Sequence, residues 1–532
     1  MKFGPRHPFF ILVLVLLWRV LLLAFTAQPI PANDAFAYDG AVVNFLHGGG
    51  YCNPSLALVF PISGKEVYSM YPPLYQGVLL VWMKLFGTSV ISAMAMHLVL
   101  FAVSAWLTLA MVRKFFPATT GQGLAVLLLF GFTFDDRPES LAYIFGLAGL
   151  WLVARQISGP AGGAKTGAAL VAVLLLDLYT SVIVGALFFG MGLLACVAAL
   201  SRSARGTGAR PRLQWLAPFA VAAILFALIT AAVARMEPLW WAGFMESARQ
   251  QSVVNSGWHL PSGGDFLKLV RTAPVFLVAL AFLPLLWRHR RDVVADRAPW
   301  LALMAGIFLA GWMMLAAAVT VLAGNYVSYT ILSQVILAAG LLALAEKYFP
   351  ARQRLMRGAL LACVLLVSVR AIGMSTWGVA CAWKNSCGSS QAVVRSELRP
   401  FVASGQPVLV SSAFLYCAAD LGVKDAMSCD WYFDHAQWGS QMESLIRLRP
   451  SRLVLTQFDY YRSFQAVLKE LAQRPDLVEA RVRDFARVRP PDAIPALQRV
   501  LQHISWAPVI VDLEWKTGSS APTDLKPLMK VP

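Results

Sequence analysis

Charge is what this 532-residue chain has least of: Asp, Glu, Lys and Arg together make up 14% of it, while 58% is hydrophobic and the mean hydropathy is +0.62. That balance excludes an ordinary soluble domain of this length and predicts a polytopic membrane protein. Acidic residues are scarcer still, 28 against 45 Lys and Arg, for a net charge of +17. The basic excess does not imply nucleic acid, because it sits in short loops between apolar segments and so reports topology. No small-residue cleavage site follows the apolar start of the chain before Gln28-Pro29, so residues 1–26 are predicted to stay as a first helix. The two halves show no internal repeat, which argues against a transporter of lipid-linked intermediates built on inverted repeats. The seven cysteines contain no C-x2-C pair, which disfavours a zinc knuckle. No strand in the last third is followed by a glycine-rich phosphate loop, so nothing there indicates nucleotide binding.

What is present is a series of apolar segments at about 9–27, 90–112, 121–134, 139–155, 168–180, 181–200, 214–233, 272–288, 299–322, 327–345 and 358–374, which predicts about eleven spans. The run Leu74 to Phe86 decides the topology. Its 13 residues are too few to cross comfortably and Lys84 interrupts them, so it is read as lying in the membrane surface. With the N-terminus in the cytoplasm, 18 of the 27 Lys and Arg before residue 377 then fall inside, and only Asp292, Asp296 and Glu346 of the 13 carboxylates there do. Making Leu74 to Phe86 a span would reverse that bias. The division is therefore a membrane module, 1–376, with a first outer loop at 28–89, and an extracytoplasmic domain, 377–532. In the tail, short β-rich runs (407–412, 452–458, 507–515) alternate with helical ones (391–403, 460–473, 494–503), which predicts a small α/β sandwich with some parallel pairing. Its four cysteines, Cys381, Cys387, Cys417 and Cys429, are an even number in an oxidising compartment, and disulfides among them are expected.

The chemistry is expected at the outer face, where nine carboxylates collect: Asp34, Asp39, Glu66, Asp135, Asp136, Glu139, Glu237, Glu246 and Asp265. Asp34 stands just past the first span, where the lipid headgroup plane meets water. Asp39 lies about 140° away from it if the segment is helical. The stretch Asp135-Asp136-Arg137-Pro138-Glu139 is either a capped helix start or a site in which Arg137, with its planar fork, takes a phosphate. Inside the spans Arg19, Asp177 and His97 are the polar groups, each with a structural reading open beside a functional one. Trp240-Trp241 fit interface anchors or an aromatic shelf for a sugar.

The order of these features resembles the GT-C glycosyltransferase superfamily, near its protein O-mannosyltransferases, lipid A aminoarabinose transferases and rhizobial lipopolysaccharide sugar transferases. The matching stretches are Asp34-Ala35-Phe36-Ala37-Tyr38, Gly48-Gly49-Gly50-Tyr51, Tyr71-Pro72-Pro73-Leu74-Tyr75 and Arg137-Pro138-Glu139. They lie in the first 155 residues. The resemblance implies transfer of a sugar from a polyprenyl phosphate to a hydroxyl of a glycolipid, polysaccharide or protein at the outer face of the inner (cytoplasmic) membrane, with inversion. Asp34 is then the general base, and Tyr38, Asp39, Glu66, Tyr71, Arg137 and Glu139 are substrate-binding residues.

Three positions depart from that pattern. Ala35 and Asn33 flank Asp34 where a second acid is common, no arginine falls within 90–99, and no lysine falls within 177–181. The donor phosphate is thus left to Arg137, Lys65, Arg235, Lys268, Arg271 or Arg370. The chemistry needs one base and positive charge on the departing phosphate, without a second carboxylic acid. A divalent metal is a further source of that charge, with Asp34, Asp39 or Glu66 to hold it. A non-catalytic scaffold whose outer domain binds the cell envelope is the alternative that the departures favour.

Overall fold

The computed structural model describes residues 8–26, 35–53, 72–116, 122–131, 137–158, 164–206, 213–288 apart from 239, 243 and 246–259, 299–376 apart from 323 and 374, 390–428 apart from 412, 413, 424 and 425, 445, 446, 449–457, 460, 464–485 apart from 476, and 507–516. Its helices run in chain order as α1 (Pro8–Thr26), α2 (Ala35–Leu46), α3 (Leu74–Phe86), α4 (Val90–Phe115), α5 (Gln122–Leu127), α6 (Glu139–Ser158), α7 (Ala164–Thr180), α8 (Val182–Gly206), α9 (Ala217–Met236), α10 (Gly263–Thr272), α11 (Pro274–Arg288), α12 (Pro299–Thr320), α13 (Ile331–Tyr348) and α14 (Gln353–Val364). Each of the eleven apolar segments expected from the sequence coincides with helix. By length and composition, seven helices among the described residues can cross a membrane alone, and α10 with α11 makes an eighth, bent by 91°. The chain is a multi-pass membrane protein with a small C-terminal α/β region.

Helix α13 is the axis of the bundle. Its sequence is apolar all round, and 94% of its hydrophobic window is enclosed by neighbours, as a helix without a polar face must be. At the other extreme, α9 keeps only 17% of its window inside and offers Ile224 and Leu228 to lipid. Where α8 and α12 meet, Gly306 lies directly on the backbone of Met191 and Ala195, so any side chain there would force the two apart. The sharp bend between α10 and α11 has a chemical cause. Pro274 has no N–H to continue the ladder, Phe276 donates to Ala273 at 3.2 Å and not to Thr272, and the carbonyl of Thr272 accepts a bond from Gln334 Nε2 on α13 at 2.8 Å.

Helix α3 is short, as expected for a surface helix. It buries Tyr75, Gln76, Leu79 and Met83 and leaves Val81, Leu85 and Phe86 more than half exposed, a division of faces that suits a helix lying along lipid.

The C-terminal region adds α15 (Ser390–Leu398), α16 (Leu415–Asp420) and α17 (Gln465–Leu471) around five strands: β1 (Val408–Val410), β2 (Ala426–Ser428), β3 (Arg452–Thr456), β4 (Leu477–Asp484) and β5 (Pro508–Trp515). The strand order is β2-β1-β3-β5-β4. β1 pairs in parallel with β2 and β3, while β5 runs antiparallel between β3 and β4. The expected strands near 408, 452 and 508 are present, and so is the parallel pairing. β2 and β4 were not expected. β4 is an edge strand with Glu479, Arg481 and Arg483 along it, and edge strands carry charge that hides their β character. The expected helix at 494–503 lies outside the described residues. Glu397 ties the sheet to α15 by accepting from Arg452 at 2.8 Å and from both terminal nitrogens of Arg483 at 2.7 Å. Of the four tail cysteines for which disulfides are expected, Cys417 is a buried free thiol, and Cys381, Cys387 and Cys429 lie outside the described residues.

Candidate active site

The site is built around α2, a helix of twelve residues that starts at Ala35, one position after Asp34. Tyr38, Val42 and Val43 on one face pack with Tyr75, Leu79 and Met83 of α3 and with Val90, Ala93, Met94 and Met96 of α4. Beyond its end the glycine-rich stretch forms a cinch. Asn44 Nδ2 donates to the carbonyls of Gly49, Gly50 and Cys52 at 3.0–3.1 Å, folding the chain back over the helix. Gly48 and Gly50 take φ of +80° and +83°, where a side chain would be strained, and a side chain at Gly49 would collide with Asn44. The three glycines are thus explained by one turn. Gln76 extends the hold, donating to the carbonyl of Tyr38 at 2.9 Å and accepting from the hydroxyl of Tyr51.

Two polar clusters leave this helix from adjacent residues. Tyr38 leads to the first: its hydroxyl accepts from Arg137 Nη2 at 3.0 Å, and the guanidinium lies 5.7 Å from its ring centroid. Arg137 pairs with Glu139 at 3.4 Å, and Glu139 accepts from the hydroxyl of Tyr329 at 3.1 Å. Arg137 keeps 19% of its side chain exposed and Glu139 only 6%. Ser140 and Leu141 donate their N–H groups to the carbonyls of Arg137 and Pro138, so this short turn is the start of α6 and holds Arg137 at its mouth. A partly exposed guanidinium on a tyrosine face can receive an anionic oxygen while its counter-charge stays buried behind it.

Asp39 leads to the second cluster. Its carboxylate is 1% exposed and accepts from Tyr75 at 3.1 Å and from Tyr416 at 2.6 Å, one hydroxyl on each oxygen. The Tyr75 hydroxyl also meets His97 Nε2 at 2.9 Å, deep in α4. Burial pushes the Asp39 carboxyl up to about 7, against the two hydroxyl bonds, which pull it down.

Of the seven residues singled out from the sequence, Tyr38, Arg137 and Glu139 come together in the first cluster. Asp39 sits apart from them, buried, with one hydroxyl bonded to each of its oxygens. Asp34, Glu66 and Tyr71 lie outside the described residues. Among the described residues no group of three His, Cys, Asp or Glu stands close enough to hold a metal, and Asp34 and Glu66 are not among them. Tyr329 and Tyr416 were not anticipated. They reach α6 and α2 across 190 and 377 positions, and no local pattern announces such a contact. Tyr75 was visible as the end of the Tyr-Pro-Pro-Leu-Tyr stretch, and His97 as a polar group in an apolar helix.

A concentration of positive charge lies elsewhere on the bundle. Arg271 on α10 acts electrostatically on both Lys268, one turn before it, and Arg370, which follows the turn Leu365–Val369 that continues α14 and against which α10 packs. Asp265, the nearby acid, is committed to capping α10 through Ser262. Behind α9, Trp240 and Trp241 both stack on Phe244, at 5.7 and 5.8 Å, and Trp240 is buried.

Two solved structures share this fold. ArnT from Cupriavidus metallidurans in the apo state superposes with a TM-score of 0.53 at 15% identity, over 94% of this chain and 97% of that one. The same protein bound to undecaprenyl phosphate gives 0.51 at 14% identity over the same shares. No protein-family profile and no curated protein sequence matches the chain. The likeness takes in the helical bundle and the C-terminal region together, so the polytopic helical fold with a C-terminal domain expected from the sequence is the one this chain adopts.

Proposed function

We propose that the chain is an integral membrane glycosyltransferase that moves a sugar from a polyprenyl-phosphate donor to a hydroxyl acceptor at the outer face of the cytoplasmic membrane. The observation that supports this most is the likeness to ArnT over nearly the whole of both chains. ArnT is an aminoarabinose transferase of the GT-C superfamily, and one of its structures holds undecaprenyl phosphate. In this reading the N-terminus is cytoplasmic, and residues 377–532 form an extracytoplasmic domain.

Asp34 is the general base. As the acceptor oxygen attacks the anomeric carbon, its proton passes to the Asp34 carboxylate, and the bond from that carbon to the phosphate oxygen breaks on the opposite face, giving inversion. A polyprenyl phosphate leaves without protonation, so the protein needs only positive charge where the phosphate departs. Lys268, Arg271 and Arg370 are assigned to that task, being three cations gathered on one bent helix and its neighbour. Arg137, braced by Tyr38 and Glu139, is assigned to the transferred sugar or its phosphate, and Glu66 and Tyr71 to the acceptor side.

The test is mass spectrometry of cell-envelope glycolipids, polysaccharides and glycoproteins with and without the chain, paired with transfer assays on the purified protein using undecaprenyl-phosphate sugars. A modification that disappears without the chain, and that the purified protein restores, is the expected result. An unchanged envelope together with no transfer from any such donor would sink the proposal.

A further inference from the structure

We infer that Asp39 and Tyr416 are positioning residues, a lock through which the C-terminal domain sets the helix that presents Asp34. Its kinetic consequence rests on the function proposed above; the docking itself does not.

The geometry is unusual for a substrate ligand and suits a clasp. A dry carboxylate is costly unless its oxygens are hydrogen-bonded, and Asp39 is served by Tyr75 from the membrane module on one side and by Tyr416 from the C-terminal domain on the other. Tyr416 belongs to the apolar cluster of α2, α3 and α4 that holds Tyr38, Val42, Leu79 and Met94, and not to the two apolar clusters of its own domain. A second contact lies one turn further along α16, where Asp420 meets His47 at 3.5 Å. Arg395 holds Asp420 in place from α15 at 2.8 Å. Two successive points on one face of α16 therefore grip α2 at its middle and just past its end.

An apolar contact would let α2 slide or rotate at little cost. Hydrogen bonds between a buried carboxylate and two hydroxyls fix one register, because any other leaves an oxygen unsatisfied. Asp34 is the residue before α2 in sequence, so in the reading proposed above the register of α2 bears on the base. Small errors of aim are expensive in group transfer. Without Tyr416 the helix stays in the membrane module through Tyr75 and its apolar face, but its register is no longer fixed from outside.

The experiment uses the full chain in nanodiscs, with Tyr416→Phe as the main variant, since it keeps the ring and removes one hydroxyl. Amide hydrogen exchange across residues 38–46 should speed up by about tenfold or more, the effect of removing one bond to a charged group, while β1 and β3 keep wild-type protection. With an active donor, kcat should fall by about tenfold and KM for the donor should stay within about twofold, because aim is lost and binding is not. Adding Asp39→Asn to Tyr416→Phe should cost little more, since both variants break the same lock. Replacing His47 and Asp420 by cysteine and bridging them with a short bifunctional thiol reagent should return both exchange and kcat toward wild type.

Unchanged exchange in 38–46 overturns the lock outright, whatever the enzyme's activity. Faster exchange with an unaltered kcat overturns its link to the reaction. Restored exchange with no recovery of kcat would make Tyr416 a participant in the chemistry and overturn the positioning role. Failure of the proposed function shows separately, as a wild-type protein without transfer, and the exchange result still decides the docking.

Discussion

Tyr38 and Asp39 are neighbours in sequence and opposites in circumstance. Tyr38 hands its hydroxyl to an arginine that remains partly open to the outside, whereas Asp39 is sealed between two tyrosines from opposite ends of the chain. One helix thus separates a cluster that can meet a ligand from a cluster that can only hold structure. Carboxylates in a loop facing the membrane surface are not equal candidates for chemistry: the number of donors already bonded to each oxygen distinguishes them.

The sharpest way to test that separation is to leave both clusters intact and disable Asp34. Asp34→Asn keeps shape and removes basicity, and is expected to lower the transfer rate by at least about two orders of magnitude with donor binding near wild type. If Asp34→Asn stayed active while Glu139→Gln abolished turnover, the base would belong to the first cluster instead. Next in size, Arg137→Lys keeps the charge and loses the planar fork and its stacking on Tyr38. Steady-state kinetics should show a loss of roughly one to two orders of magnitude in kcat/KM, and wild-type behaviour would mean that Arg137 is only part of the start of α6.

The closed cluster should respond to pH. The Asp39 carboxyl is raised from 3.8 to about 7 in the folded protein, so between those values the folded form holds a proton that the undocked form has lost. Docking of α2 is therefore favoured at low pH, weakens as pH rises from about 4 to about 7, and levels off above that. Hydrogen exchange of 38–46 at pH 5 and pH 8, corrected for intrinsic rates, should show that trend in wild type and a flat response in Asp39→Asn. The smallest effect is expected far from both clusters. Glu397→Gln weakens the charged pair of bonds to Arg483 and the bond to Arg452, and should lower the melting point of the C-terminal domain by an amount equal to about 1 kcal/mol while leaving turnover untouched.

How much of this was legible beforehand follows from the range of the interactions. Apolar periodicity is local, so all eleven segments were recognised as helices, and the basic loops suggested an orientation. Gly48, Gly49 and Gly50 announced a tight turn, and Arg137-Pro138-Glu139 a helix start, because both are decided within a few residues. The pairing of Asp39 with Tyr416 spans 377 positions and that of Glu139 with Tyr329 spans 190, so neither partner carried a mark in its own neighbourhood. Asp39 looked like a ligand because exposure was inferred from its loop, and only the fold supplies the two hydroxyls that close it. β4 was missed for a related reason: its charges are those of a strand at the sheet's rim.

The order of strands also governs when the molecule can be completed. β5 lies between β3 and β4, and it is the last strand among the described residues, ending at Trp515. Until residues 508–515 have left the ribosome, β4 has no neighbour and β3 lacks one side, so the domain cannot close however early its other parts emerge. The helices of the bundle are made first and wait. The grip of Tyr416 on α2 is consequently among the last events of biogenesis, and a chain cut short before Pro508 would insert its membrane helices yet present α2 unclasped.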